Sequence, residues 1–434
     1  MIPAPHLLVV LILALPAVVI LDGPIVQGVV TATAAALTAI VGFRIRPGEA
    51  GYLWSVVRPV AMVAVLPALW MLVQVIPLGA IGLDHPIWKT AAAALGHPLA
   101  GSISIDPGAT LIAFICYLSM SAIAFAAAAV AIDRHRAETI LYALIAALTS
   151  IGVLIVTGGL GSFILLSGAR DDVTRLAASD SATLGIIFAT AGALHALERG
   201  NFRAQDHGKS AASFQLAFLA CAGAAIICVI AMFVSAPRQT YFAAACGIAS
   251  LAIAILIRRF RLGPWGYAAI VSLAIFIAFT AVALQPRERV ADIAVAFAAT
   301  APDSLISVTR HILADIAWAG NGAGTFATIF PIYRDLSGLT LAPLSPSGVA
   351  TIAVEMGRPF LWGLFIAMVA IVIALIGGAS RRGRDSAYSA VAASCAVTVT
   401  VLAFGNSGVL TIPLLLIASV AIGVGVAQIK SRSI

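Results

Sequence analysis

The amino-acid sequence predicts an all-α polytopic membrane protein, with about 12 transmembrane helices and one large outer loop containing short amphipathic helices. Three observations predict it. Of the 434 residues, 62% are hydrophobic and only 10% are charged, where soluble domains run near ~45–50% and ~25%. Mean hydropathy is +1.08. The apolar residues also come in runs long enough to cross a bilayer, which takes roughly 20 residues, with the charges confined between them. A soluble chain of this length has no interior large enough for so much apolar surface, so a cytosolic enzyme is excluded.

Charge or Gly/Pro punctuation sets the spans at 6–21, 25–43, 56–80, 109–132, 138–158, 178–197, 211–234, 239–257, 264–284, 359–378, 387–405 and 408–428. The first run lacks a basic leader, and Asp22-Gly23-Pro24 follows it in place of a small-residue cleavage site. It reads as a retained helix. No repeat, low-complexity tail or appended soluble domain interrupts the pattern, so residues 1–434 read as one integral membrane domain.

The 25 Lys and Arg residues orient the bundle, because cytoplasmic loops hold an excess of them. With the amino terminus inside, the inner loops carry Arg44, Arg46, Arg134, Arg136, Arg258, Arg259 and most of the rest. Both termini are then cytoplasmic. The net charge of +7 belongs to this bias and not to a nucleic-acid surface. Cys116, Cys221, Cys228, Cys246 and Cys395 all fall inside apolar runs without ligand-like spacing. They read as small core residues.

Two outer segments exceed a connector. One, 81–108, holds His85, Lys89 and His97. The other, 285–358, is long enough to be functional. Within it Leu305, Val308, Ile312 and Ile316 share one helical face. This predicts a short amphipathic helix over Pro302–Trp318, resting on or in the outer leaflet. Gly320-Asn321-Gly322-Ala323-Gly324 follows, a cramped bend that can bind an anion through its amides or simply pack closely.

The outer side keeps basic residues that the orienting rule disfavours. Arg170 and Arg175 flank Asp171-Asp172, Arg238 sits in the tight turn between spans seven and eight, and Arg287, Arg289, Arg310 and Arg334 lie in the long loop. Arginine forks onto phosphate oxygens and stays charged near lipid. The pattern therefore fits a lipid-linked phosphate or diphosphate site, headgroup anchoring being the plainer alternative. Asp171-Asp172 can hold Mg²⁺ or pair with its flanking arginines. No His-Glu-x-x-His, phosphate loop or serine elbow is present, so cytosolic ATP hydrolysis has no visible machinery.

Arg310, Trp318, Gly322, Gly324, Thr325, Phe326, Pro331, Tyr333, Glu355 and Gly357 together form a constellation. It resembles the O-antigen ligase and polysaccharide polymerase family of bacterial membrane glycosyltransferases. Arg238 in Ser235-Ala236-Pro237-Arg238-Gln239-Thr240 looks like a second landmark of that family. Arg175, ahead of Ser179-Asp180-Ser181, looks like a third, although the family often has asparagine there. The resemblance covers 165–375 by motif and the remainder by topology.

It implies a GT-C-like fold in a bacterial inner membrane, with the active face periplasmic. It also implies transfer of a glycan from undecaprenyl diphosphate to an acceptor hydroxyl, without metal or cofactor. On this reading Arg238 and Arg310 grip the departing diphosphate, assisted by Arg175, Arg170 or Arg334, and Gly322, Gly324 and Tyr333 line the site. The partners implied are the lipid-linked glycan, an acceptor glycan or glycolipid, membrane lipids, and a chain-length regulator or flippase.

Where the family places a histidine and an asparagine, this chain has Pro346 and Ser347. The base must then be His311, Asp303, Asp315, Asp335 or Glu355, or there is none. That departure favours polymerising repeat units over ligation of a finished glycan to lipid A core. A lipid-glycan flippase is a third reading, disfavoured by spans nearly free of charge.

Overall fold

The computed structural model describes the chain apart from residues 1–3, 22, 46, 80–81, 83, 163–170, 207–210, 236, 261–292, 299–300, 335–344, 382–385 and 430–434. Among the described residues the protein is helical. The only non-helical pairing there is an isolated bridge between Pro77 and Ser102. Nine of the described helices are long and apolar enough to cross a membrane. The expected ninth span, 264–284, and the side chains of Arg170, Arg287, Arg289 and Asp335 lie outside the described residues.

The helices are α1 (Ala4–Leu13), α2 (Leu15–Ile20), α3 (Pro24–Arg44), α4 (Pro47–Val75), α5 (Ile87–Leu95), α6 (Pro107–Val130), α7 (Arg134–Val156), α8 (Asp171–Asp206), α9 (Ala211–Ser235) and α10 (Arg238–Phe260). Four short helices follow: α11 (Ile293–Ala296), α12 (Asp303–Asp315), α13 (Phe326–Tyr333) and α14 (Gly348–Met356). The chain ends with α15 (Arg358–Arg381), α16 (Ser386–Gly405) and α17 (Ile412–Ala427).

The first expected span is two short helices instead of one. Pro16 has no amide to donate, so it stands in the first turn of a new helix, α2. The last expected span is likewise shorter. Residues 408–410 form a 3₁₀ turn before Pro413 opens α17. Elsewhere, expected and observed spans differ mainly at the ends, where α8 and α4 run several residues further than the apolar pattern does.

Packing without a strong hydrophobic drive between helices favours small residues at the contacts, and the centre of the bundle is built this way. Gly185 on α8 lets Cys228 of α9 approach: a Cβ there would lie 2.7 Å from the Cys228 sulfur. At Gly192 it would lie 2.6 Å from Ile145 Cδ1 and 3.1 Å from the Cys221 sulfur. Both cysteines thus serve as small packing residues. At Gly423 on α17 a Cβ would overlap the Ala124 carbonyl of α6.

The short helices α11–α14 form a cap on one end of the bundle, here called the cap end. Its core is Leu305, Ile306, Val308, Ile312, Phe326, Phe330, Val349 and Ala353, with their neighbours. The apolar face expected on α12 is present and buried at Leu305, Val308 and Ile312, with Ile316 partly covered. What covers it is protein, α13 and α14, where the sequence suggested the outer leaflet.

Because the backbones of α6 and α17 meet closely at Gly423, Gly423→Leu should force them apart. The expected cost is about 1–3 kcal/mol, read as a lowered unfolding midpoint of the purified protein in detergent.

Candidate functional site at the cap

The cap is assembled around one side chain. Gln74, in the last turn of α4, is fully buried. Its Nε2 donates to the carbonyls of Ala319 (3.1 Å) and Glu355 (2.9 Å), and its Oε1 accepts from the Ala323 amide (3.2 Å). The Gln74 carbonyl accepts from the Ser104 amide at 2.9 Å. One turn earlier, Trp70 Nε1 donates to the Met356 carbonyl (3.1 Å), and its ring centroid lies 6.1 Å from that of Trp318. The end of α4 therefore joins the approach to α6, the glycine turn and the end of α14.

The glycine turn is interior, from Ala319 through Ala323. Asn321 donates its amide to Val354 (3.1 Å) and Gly322 to the Glu355 carbonyl (3.0 Å), while the Asn321 carbonyl accepts from Ile105 (3.0 Å). Gly320 and Gly357 have φ of 76° and 90°, a region that side chains with a Cβ rarely adopt. A Cβ on Gly320 would overlap the Glu355 carbonyl, and one on Gly357 would overlap the Trp318 carbonyl. Both conformation and space require glycine at these two interlocked positions.

Of the two roles open to the turn, close packing and anion binding, it performs both, and the anion is internal. The Glu355 carboxyl accepts hydrogen bonds from the amides of Phe326 (3.2 Å) and Gly324. Burial pushes this carboxyl up to about 7, against the downward pull of those two amides. A carboxyl near neutrality is suited to proton transfer.

The remaining expected residues fall in two neighbourhoods. Arg310 is partly buried and His311 exposed on α12. Asp315, at the end of that helix, bonds the Tyr333 hydroxyl, whose pKa is raised by burial first and by this carboxylate second. Arg334 follows directly after α13. Arg358 donates to the Leu313 carbonyl (3.1 Å), closing the carboxyl end of α12. Exposed Arg175 and Arg238 stand instead on the rim, Arg175 as the fifth residue of α8 and Arg238 as the first of α10. That rim meets the amino end of α14, where Gly348 donates its amide to Asn406 (2.9 Å). Glu355 lies seven residues along the same helix, about 10 Å away.

Ser347, at the position where a histidine–asparagine pair was sought, caps α14. Its hydroxyl accepts from the Ala350 amide (3.1 Å) and donates to the Ala294 carbonyl (2.6 Å). It is a structural residue. Sequence reading passed over Gln74, Trp70 and Asn406, and passed too quickly over His85. The His85 ring bonds the Asn321 side chain, and burial lowers its pKa. Its Nδ1 accepts from the Ile87 amide at 3.2 Å. With Nδ1 so engaged, the proton of the neutral ring sits on Nε2, so His85 holds the turn in place and is not a free base.

The sequence matches no known family model and no curated protein.

Folding raises the proton affinity of Glu355. Between the ordinary value of 4.5 and about 7, the folded chain therefore binds more protons than the unfolded one. Stability should fall as pH rises through that window. Glu355→Gln should flatten the slope, as read by thermal unfolding from pH 4.5 to 7.5. In the same assay Gly357→Ala should cost about 1–3 kcal/mol.

Proposed function

We propose that this protein is a membrane glycosyltransferase that polymerises polysaccharide repeat units, of the O-antigen or exopolysaccharide kind. The donor is a glycan on undecaprenyl diphosphate, and the acceptor is a glycan hydroxyl. On this reading the cap end faces the periplasm, both termini are cytoplasmic, and the bundle sits in a bacterial inner membrane in a GT-C-like arrangement.

One observation carries the proposal: exposed guanidinium groups stand at the amino ends of two spans, on the end of the bundle that bears the cap. Arg238 is the first residue of α10, where the helix dipole already presents positive charge. A cation there weakens the helix, so folding does not explain it. Arg175 is the fifth residue of α8, just past its first turn. Together with the dipoles they create a field suited to a diphosphate. As the sugar's anomeric carbon loses its bond to the diphosphate oxygen, negative charge grows on that leaving group. Fixed guanidinium groups stabilise it where lipid excludes water.

The acceptor hydroxyl forms the new bond and must lose its proton. Glu355, with its carboxyl near 7, is the group in the cap suited to take it, and it supplies what the absent histidine would. Several residues of the resemblance also gather in this same cap, since the Gly322, Gly324 and Phe326 amides bond Glu355 and the Trp318 carbonyl lies against Gly357.

Arg238→Ala and Arg310→Ala should each abolish polymer while leaving membrane insertion intact, and single repeat units should accumulate on the lipid carrier. Long polymer held on the carrier would point to ligation instead. Normal polymer from both variants rejects the site. Glu355→Gln should lower the rate by about 10²-fold or more, and the wild-type rate should rise as pH increases through 7.

A further inference from the structure

Among the described residues, Asp180 is the only Asp, Glu, Lys or Arg that is fully buried. It lies on α8, inside a stretch long and apolar enough to cross the membrane. Its Oδ1 accepts from Asn406 Nδ2 at 3.2 Å, and the Asn406 carbonyl oxygen of the side chain is held by the Gly408 amide at 2.9 Å. Asp180 Oδ2 is buried and has no hydrogen-bond partner. A carboxylate in apolar surroundings with one neutral donor is costly, and such a group in a membrane span is a functional candidate by default.

A second orphaned oxygen belongs to the same junction. Deeper in the bundle, Gly247 of α10 faces Ile187 of α8 and Thr398 of α16 so closely that a Cβ would overlap both. Seven residues are two helical turns and return to the same face about 10 Å along the axis. Moving that distance toward the cap end brings Ile187 to Asp180, Gly247 to Thr240 and Thr398 to Gly405. The register is anchored there too: a Cβ on Gly405 would lie 2.7 Å from Gln239 Oε1, and one on Gly408 would lie 2.7 Å from Asp180 Oδ2. Thr240 is fully buried, and its hydroxyl has no partner. The α8–α10–α16 junction thus encloses a carboxylate oxygen and a hydroxyl oxygen, both buried and unmatched. The carboxyl end of α16, the negative end of its dipole, closes the same level.

We propose that this junction binds a monovalent alkali cation, with Asp180 Oδ2 and Thr240 Oγ1 as ligands. Both oxygens are closed to solvent, so the occupant is ion-sized and not a sugar. A single carboxylate balances one positive charge, and among the described residues no three His, Cys, Asp or Glu side chains gather to favour a divalent metal. The cation ties α8, α10 and α16 together beside Asn406, and through the Asn406–Gly348 bond it steadies the amino end of α14. The inference is independent of the glycan-transfer reading, because its test reads folding and ion binding.

The full chain, purified in detergent, is unfolded thermally at constant ionic strength while N-methyl-D-glucamine chloride is replaced by NaCl or KCl. The midpoint should rise saturably by about 3 °C or more with at least one alkali cation. The rise should vanish in Asp180→Asn and shrink in Thr240→Val. Equal midpoints in alkali and organic cation, as expected for a bridging water only, overturn the proposal. A rise that persists undiminished in Asp180→Asn does so as well. If Asp180→Asn does not accumulate, Thr240→Val and ²³Na line broadening on the wild type decide. An unchanged midpoint response in Thr240→Val, or no broadening by a wild type whose midpoint NaCl raised, overturns it.

Discussion

Non-helical backbone at the end of a membrane bundle must find hydrogen-bond partners within the protein, and here the side chain and carbonyl of Gln74 supply four of them. Remove that amide and the carbonyl of Ala319 and the amide of Ala323 lose this partner together, while the Glu355 carbonyl keeps only its bond from the Gly322 amide. The cost of each unmatched buried group is of order 1–3 kcal/mol. The glycine turn, the approach to α6 and the carboxyl end of α14 then have no common anchor. Glu355 depends on this arrangement twice over. Its carbonyl is fixed by Gln74 and Gly322, and its carboxyl is fixed by the turn those bonds hold in place.

Nine crossings among the described residues were legible in the sequence, because hydropathy is a one-dimensional property that length alone converts into a crossing. The amphipathic helix α12 was legible for a similar reason, since Leu305, Val308 and Ile312 keep the helical period. What covers its apolar face was not, because lipid and protein place the same demand on an apolar surface. The same ambiguity hid the partner of the glycine turn. A run of amides in a tight bend announces an anion, but whether that anion is a ligand or Glu355, thirty residues downstream, is a fact of tertiary contact.

Gln74 left still less trace. A lone glutamine near the end of an apolar run changes no periodicity and matches no motif, and only the backbone groups brought to it reveal its role. Asp180 was visible in Ser179-Asp180-Ser181, two residues into the expected span 178–197, but nothing in the sequence showed its burial; α8 begins nine residues earlier and carries it fully inside. The arginines behaved differently. Charge bias placed them on one end, and Arg175, Arg238 and Arg310 lie on α8, α10 and α12, with Arg334 just after α13, toward the cap end. The sequence said nothing of their division between rim and cap.

That division has a mechanical consequence. The cap is fastened on one side to the best enclosed helices and on the other to a peripheral one. The most apolar window of α8 is 83% buried and that of α16 is 61%, whereas that of α4 is only 17% buried. Asn406 ties α14 to the enclosed side, while Trp70 and Gln74 tie the turn and the far end of α14 to α4. A helix with few protein contacts moves at lower cost than one wedged among neighbours. Displacing α4 acts first on Gln74, and so on the carbonyl and the cradle of Glu355, while the rim that bears Arg175 and Arg238 stays in place. The two halves of the proposed site are thus built on elements of unequal stiffness: a fixed cationic rim to receive an anion, and an acid–base group whose setting follows the position of a peripheral helix.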